Sequence, residues 1–82
     1  MNLAEAPLKT TWRVLHITPT ELVPERASQL EELGFLPGEL VCVLACGFPG
    51  NDPLVVRVGL STFALRRDEA LCVKLQTKES NA

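Results

Sequence analysis

Three cysteines and one histidine are the residues of this 82-residue chain best suited to bind a transition metal. Cys42 and Cys46 lie four residues apart in an apolar run, Glu39–Cys46, that is typical of a strand. In a strand their Cα atoms would be ~13 Å apart, whereas two thiolate ligands of one zinc ion each lie ~2.3 Å from the metal. The spacing argues against a zinc knuckle, and the odd cysteine count favours reduced, buried thiols.

Groups that could support catalysis are sparse. His16 is the only histidine, so Ser28, Ser61 and Ser80 have a single imidazole to share as a base. No glycine-rich phosphate loop ending in Lys-Ser or Lys-Thr is present. We therefore predict that the protein is not an enzyme and has no cofactor and no metal site.

Charged residues fall into two groups, one on a predicted helix and one in a predicted turn. Glu25, Glu31 and Glu32 are spaced to face water, and Arg66-Arg67 is followed at once by Asp68 and Glu69. The second group is typical of an exposed 3₁₀ turn. With eight basic and ten acidic residues the net charge is −2, so the chain lacks the basic stripe of a phosphate-backbone binder. We predict no nucleic acid partner.

The segment Leu30–Gly38 connects the predicted helix to the longest predicted strand. Ala27, Leu30 and Leu33 recur at helical spacing within a predicted helix, Pro24–Leu33. Gly34 follows where helices commonly end with a residue at positive φ. Pro37 and Gly38 fit the two central positions of a type II turn.

The remaining apolar runs predict a small β domain. The predicted strands are Thr10–Ile17, Glu39–Cys46, Leu54–Val58, Thr62–Leu65 and Leu71–Leu75, with a loop at Gly47–Pro53. The strands after Gly38 are joined by connections too short for helical crossovers, so they must pair antiparallel. We therefore expect a mostly β fold, a small antiparallel SH3-like barrel of about five strands with one short helix inserted after the first strand.

Domain limits follow from the same segments. We expect a flexible arm without regular structure at 1–9, the barrel at 10–76 and a frayed tail at 77–82. No apolar run approaches the ~18 residues of a membrane span, and the N-terminus lacks the pattern of a signal peptide. A cytoplasmic location is expected.

Three stretches of the sequence resemble signatures of the FeoA family, the small cytosolic accessory proteins of bacterial ferrous iron uptake. The first, Gln29–Gly38, resembles the family's RL-x-x-LG-φ-x-PG motif, where φ is apolar. The second, Phe48–Pro53, resembles its loop ending in Asp-Pro, and the third, Phe63–Val73, resembles its ALR-x-x-EA ending. The resemblance implies an SH3-like barrel that binds FeoB, the inner-membrane ferrous iron transporter with a cytosolic GTP-binding domain.

We expect FeoB to contact the surface around the helix and the Gly47–Pro53 loop, which would hold the protein at the periphery of the inner membrane. The candidate partner-binding residues are Glu31, Glu32, Phe35, Phe48, Asn51, Asp52, Arg66 and Arg67. Two alternatives remain open: a regulatory barrel like the C-terminal domain of iron-dependent repressors, and a metal-binding carrier using His16, thiols and carboxylates. Weak homo-oligomerisation is also open, because small barrels expose apolar surface.

Overall fold

The structure is a computed structural model that describes residues 1–48 and 50–76. It contains five strands and three short helices in those ranges. The strands are β1 (Thr11–Ile17), β2 (Leu40–Cys46), β3 (Leu54–Val58), β4 (Ser61–Leu65) and β5 (Val73–Leu75). The helices are a 3₁₀ helix at Leu3–Glu5, α1 at Arg26–Leu33 and α2 at Arg67–Ala70. The predicted tail, 77–82, lies outside the described residues.

All five strands belong to one antiparallel sheet with the order β4-β3-β2-β1-β5. Leu65 of β4 and Leu75 of β5, at opposite edges of the sheet, belong to the same buried cluster as Val43 of β2. The sheet therefore curls around a single core. The predicted mostly β, antiparallel fold with one helix after the first strand is confirmed.

The connection from α1 to β2 has the predicted geometry. Gly34 ends the helix with φ +118°, and the N–H groups of Gly34 and Phe35 both donate to the Leu30 carbonyl. Gly38 has φ +91°, and the Glu39 N–H donates to the Leu36 carbonyl at 3.0 Å. These values fit a type II turn, which places β2 directly after the helix.

Helix α1 is shorter than predicted and is anchored mainly by one leucine. It begins at Arg26 because Val23 and Pro24 lie in a turn, in which the Thr20 hydroxyl accepts the Val23 N–H. Leu30 is buried, whereas Leu33 at the helix end is partly exposed. The apolar stripe is therefore narrower than the sequence spacing indicates.

The N-terminal segment corrects one prediction. Residues 1–9 were expected to have no regular structure, but Leu3–Glu5 form a 3₁₀ helix and Leu3 is completely buried in the core. The Met1 carbonyl accepts the Leu75 N–H at 2.8 Å, and Asn2 forms a β-bridge with Lys74. Burial of one leucine and pairing with β5 stabilise a segment that lacks any strong local signal.

Two details of the strands also differ from expectation. Leu71 was predicted to begin the last strand, but its N–H donates to the Arg67 carbonyl and its side chain is exposed. The turn before β5 is α-helical rather than the predicted 3₁₀ turn. In β1 the register shifts between Val14 and His16. This bulge lets Val14 and Ile17, three residues apart, both pack against the core, whereas a regular strand would place them on opposite faces.

Candidate functional site

The three thiols are distributed over separate parts of the fold. Cys42 is buried in β2 between Thr11 and Arg57 of the neighbouring strands, and Cys46 ends the same strand opposite Leu54. Cys72 precedes β5, and its Sγ lies 3.6 Å from the Asp68 carbonyl oxygen. Within residues 1–48 and 50–76, no group of three or more His, Cys, Asp and Glu side chains could hold a metal ion.

His16 is exposed on β1, where its strand partner is Lys74. Neither Ser28, at the surface of α1, nor Ser61, at the start of β4, lies on a strand that pairs with this part of β1. Among the described residues no hydrogen bond joins His16 to Ser28 or Ser61, and Ser80 lies outside them.

The loop between β2 and β3 is joined to the start of α2. One carboxylate oxygen of Asp52 accepts the Arg67 N–H at 2.9 Å, and the Gly47 N–H donates to the Pro53 carbonyl at 2.7 Å. The first bond satisfies a backbone donor at the first turn of α2, and the second closes the loop. Phe48 and Asn51 project from this loop, and the Phe48 side chain is 96% exposed.

Arg66 and Arg67 lie beside that loop. Both residues are exposed, and the Arg66 N–H donates to a carboxylate oxygen of Glu69 at 2.8 Å. The structure thus brings together five of the candidate partner-binding residues, which we call the loop surface: Phe48, Asn51, Asp52, Arg66 and Arg67.

Glu31 and Glu32 lie near the opposite end of β3. They are exposed in the last turn of α1, and a Cβ built on Gly34 would lie 3.8 Å from the Val58 side chain. The loop surface instead adjoins Leu54, at the other end of β3, about 13 Å away at the rise of a strand. The candidate residues on α1 and those of the loop surface therefore lie near opposite ends of β3.

Phe35 requires a correction. Its side chain is 0% exposed and belongs to the core cluster with Leu30. An aromatic ring that is completely buried cannot contact a partner at the surface. Its role is to fill the core beneath the end of α1.

Exposed leucines around the Val58 end of β3 were not identified from the sequence. Leu40 and Leu60, with Cys42 and Arg57 nearby, line a shallow groove of about 370 Å³, and Leu33 and Leu36 are also exposed. We call these four residues, Leu33, Leu36, Leu40 and Leu60, the leucine surface. Leu60 follows Gly59 in a two-residue hairpin turn. A side chain at that position faces solvent, so the sequence could have identified Leu60 as an exposed leucine. Although β2 is almost entirely apolar, it is not covered on both faces, because Leu40 is exposed.

Among the described residues, no helix has the length and apolar character needed to cross a membrane.

Comparison with known proteins finds FeoA proteins both as a matching family model and as similar solved structures. A family model described as the FeoA domain matches residues 1–76. A structure from Stenotrophomonas maltophilia is 41% identical, with a TM-score of 0.84, and the match covers 93% of this chain and 89% of that one. It is described as FeoA complexed with zinc, an SH3-domain protein considered as a ferrous iron transport activating factor. No curated protein matched.

Two further structures show the same fold. FeoA from Chlorobium tepidum is 26% identical with a TM-score of 0.77, and the match covers 95% of this chain and 70% of that one. A FeoA-like protein from Clostridium acetobutylicum is 22% identical with a TM-score of 0.79, and the match covers 95% and 86%. The SH3-like part of the fold prediction is thereby confirmed.

Proposed function

The chain belongs to the FeoA family, and on this basis we propose that it is an accessory protein of ferrous iron uptake that binds the cytosolic part of the transporter FeoB. The observation that carries the proposal is the family match over residues 1–76, which spans all the strands and helices of the fold. The protein would act in the cytoplasm and be held at the inner membrane through FeoB.

The geometry supports a role in binding rather than in catalysis. The charged and polar candidate residues are spread over two exposed surfaces, and the leucine surface adds apolar area beside Glu31 and Glu32. Exposed apolar groups rimmed by charges are typical of protein interaction sites. The proposal is therefore a non-enzymatic module that binds through its surface.

Binding can be measured by calorimetry with the purified chain and the cytosolic GTP-binding region of FeoB. We expect saturable one-to-one binding by the wild type. Glu31→Lys with Glu32→Lys tests the α1 side, and Phe48→Ser with Asn51→Ser tests the loop surface. Gln29→Lys, an exposed change on the same helix, is the matched control and should leave affinity within about twofold.

The possible results test the proposed function and the choice of binding surface separately. Absence of wild-type binding at high micromolar FeoB concentration would contradict the proposed function. Binding that survives both double substitutions would instead show that the partner uses another part of the molecule. Equilibrium dialysis with Fe(II) and Zn(II) on the same samples tests the metal-carrier alternative, which requires tight one-to-one binding that is lost on replacing His16 or Cys72.

A further inference from the structure

The two edge strands of the sheet, β5 and β4, differ in whether another segment of the chain covers them. At the β5 edge, the Leu75 N–H donates to the Met1 carbonyl, and Asn2 forms a bridge with Lys74, so the N-terminal segment covers part of that strand. At the other edge, β4 pairs only with β3 in the sheet formed by the described residues. An uncovered edge strand is a template for pairing with another chain.

The turn before β4 fixes which backbone groups face outward. Gly59 has φ +59° and Leu60 does not have positive φ, so the two residues fit a type II′ turn closed by the Val58–Ser61 pair. Hydrogen-bonded and non-hydrogen-bonded pairs then alternate along the hairpin. The N–H and C=O groups of Thr62 and Ala64 point away from β3, and no hydrogen bond within the described residues engages them.

Nothing in β4 itself blocks pairing. Its sequence, Ser-Thr-Phe-Ala-Leu, has no charge and no proline, and its ladder with β3 runs from Leu54–Leu65 to Val58–Ser61 without a bulge. Charged residues, prolines and bulges are the usual features that protect an edge strand. The edge is therefore competent to accept another strand.

The side chains around this edge indicate what such a strand would carry. On the outer face Arg57 lies between Cys42 and Thr62, neither of which can balance its charge. A strand that pairs with β4 next to Thr62 would lie ~10 Å from β3. Over that distance the side chain of Arg57 could meet the side chain of a glutamate on the new strand. On the core side Phe63 is only partly buried, so an apolar residue of the new strand would cover its ring.

We propose that the β4 edge binds an extended segment of a partner protein as a sixth strand, with a carboxylate near Arg57 and an apolar residue over Phe63. Main-chain hydrogen bonds to Thr62 and Ala64 would supply affinity, and the alternating acidic and apolar side chains would supply specificity. The inference rests on the proposed function for the identity of the partner, which is the cytosolic region of FeoB.

A second copy of this chain fits the edge less well. Antiparallel pairing of β4 with itself around Phe63 would place Thr62 opposite Ala64 of the other copy, so Arg57 would gain no carboxylate. Charge complementarity thus favours an acidic segment of a different protein.

The test uses the full chain and the cytosolic GTP-binding region of FeoB. Ala64→Pro removes the outward N–H but no ladder bond to β3, and proline is tolerated on edge strands in that orientation. We expect it to weaken binding at least tenfold, whereas the matched control Ala64→Val should stay within about twofold. Arg57→Glu should weaken binding similarly, and Arg57→Lys should retain most of it. Thermal unfolding checks that each variant is folded.

Amide hydrogen exchange provides a readout that needs no substitution. The Thr62 and Ala64 amides should exchange rapidly in the free protein and become protected in the complex. Protection of both amides in the free protein, or no added protection in the complex, would overturn the inference, as would full affinity of a folded Ala64→Pro variant. If FeoB binds but the exchange of these two amides does not change, the inference is wrong and the proposed function stands. If the wild type does not bind FeoB, the proposed function is wrong as well.

Discussion

Gly47 stands at a position where the chain leaves no room for a side chain. A Cβ added there would lie 2.5 Å from the Asp52 carbonyl oxygen and 2.9 Å from the Pro53 ring. Both neighbours belong to the loop that the Gly47–Pro53 hydrogen bond closes, so the clash cannot be relieved by turning a flexible side chain. The requirement for glycine here is steric and comes from the path of the loop.

We expect Gly47→Ala to lower the free energy of unfolding by about 2–3 kcal/mol, the upper part of the usual range for overpacking. Urea unfolding followed by tryptophan fluorescence measures it. Gly50→Ala is the control in the same loop: its Cβ would meet nothing within 4 Å, and its φ of +80° should cost only about 1 kcal/mol. Equal losses for the two variants would mean that the close approach at Gly47 does not exist in solution.

Asp52 belongs to the loop surface and also makes a contact within the fold. Its carboxylate holds the start of α2 through the Arg67 N–H, so part of its hydrogen-bonding capacity is used within the fold. Arg66 and Arg67 are positioned by the same contact, because their backbone begins the helix that Asp52 caps. A single hydrogen bond, from the Arg67 N–H to the Asp52 carboxylate, therefore joins the two parts of the loop surface.

Helix α1 depends on the sheet for its stability. It has eight residues, whereas isolated helices shorter than about 12 residues are marginal in water. Leu30 is the only residue of the helix that is fully buried, and the Leu30 carbonyl also accepts the bonds that end the helix at Gly34 and Phe35. Packing of this one side chain therefore holds the helix on the core.

We predict that Leu30→Ala lowers the free energy of unfolding by about 2–5 kcal/mol, as expected for a buried leucine. Leu33→Ala is the matched control, because it lies three residues further along the helix and its side chain is 38% exposed against 1% for Leu30. It should cost less than about 1 kcal/mol. Similar losses for both variants, measured by chemical denaturation, would show that the helix packs through a wider face than described.

At the scale of the whole molecule, one core connects all the elements. The core cluster contains residues of the N-terminal 3₁₀ helix, α1, α2 and every strand. Stability is therefore expected to be cooperative, because a small domain with a single core has few independent parts. The proposed interaction surfaces lie outside this core, at the two ends of β3 and along β4.

The charge of the whole molecule leads to a prediction about the repressor-like alternative. With a net charge of −2, the chain should not retain duplex DNA at physiological salt, because non-specific binding depends on phosphate neutralisation by a basic surface. Fluorescence anisotropy with a labelled duplex at about 150 mM salt tests it, with a basic DNA-binding domain as the positive control. Sequence-specific retention at that salt would support the repressor-like role instead.

The sequence by itself determined the local turns and the faces of the more regular strands. Gly34 and the Pro37-Gly38 pair fixed the end of α1 and the turn into β2, because backbone preferences of glycine and proline act over a few residues. Leu54, Val56 and Val58 alternate in the sequence with Val55 and Arg57, and they form the buried face of β3, since side chains alternate strictly along a strand.

Only the tertiary structure decided which apolar residues are buried and which candidate residues lie together. Leu3 and Phe35 are buried while Leu40 and Leu60 are exposed, although all four have similar hydrophobicity. Glu31 and Glu32 are separated from the loop surface because α1 ends beside Val58, at the far end of β3 from the loop. Burial and proximity depend on contacts between segments distant in the chain, and local sequence patterns carry no information about where those segments meet.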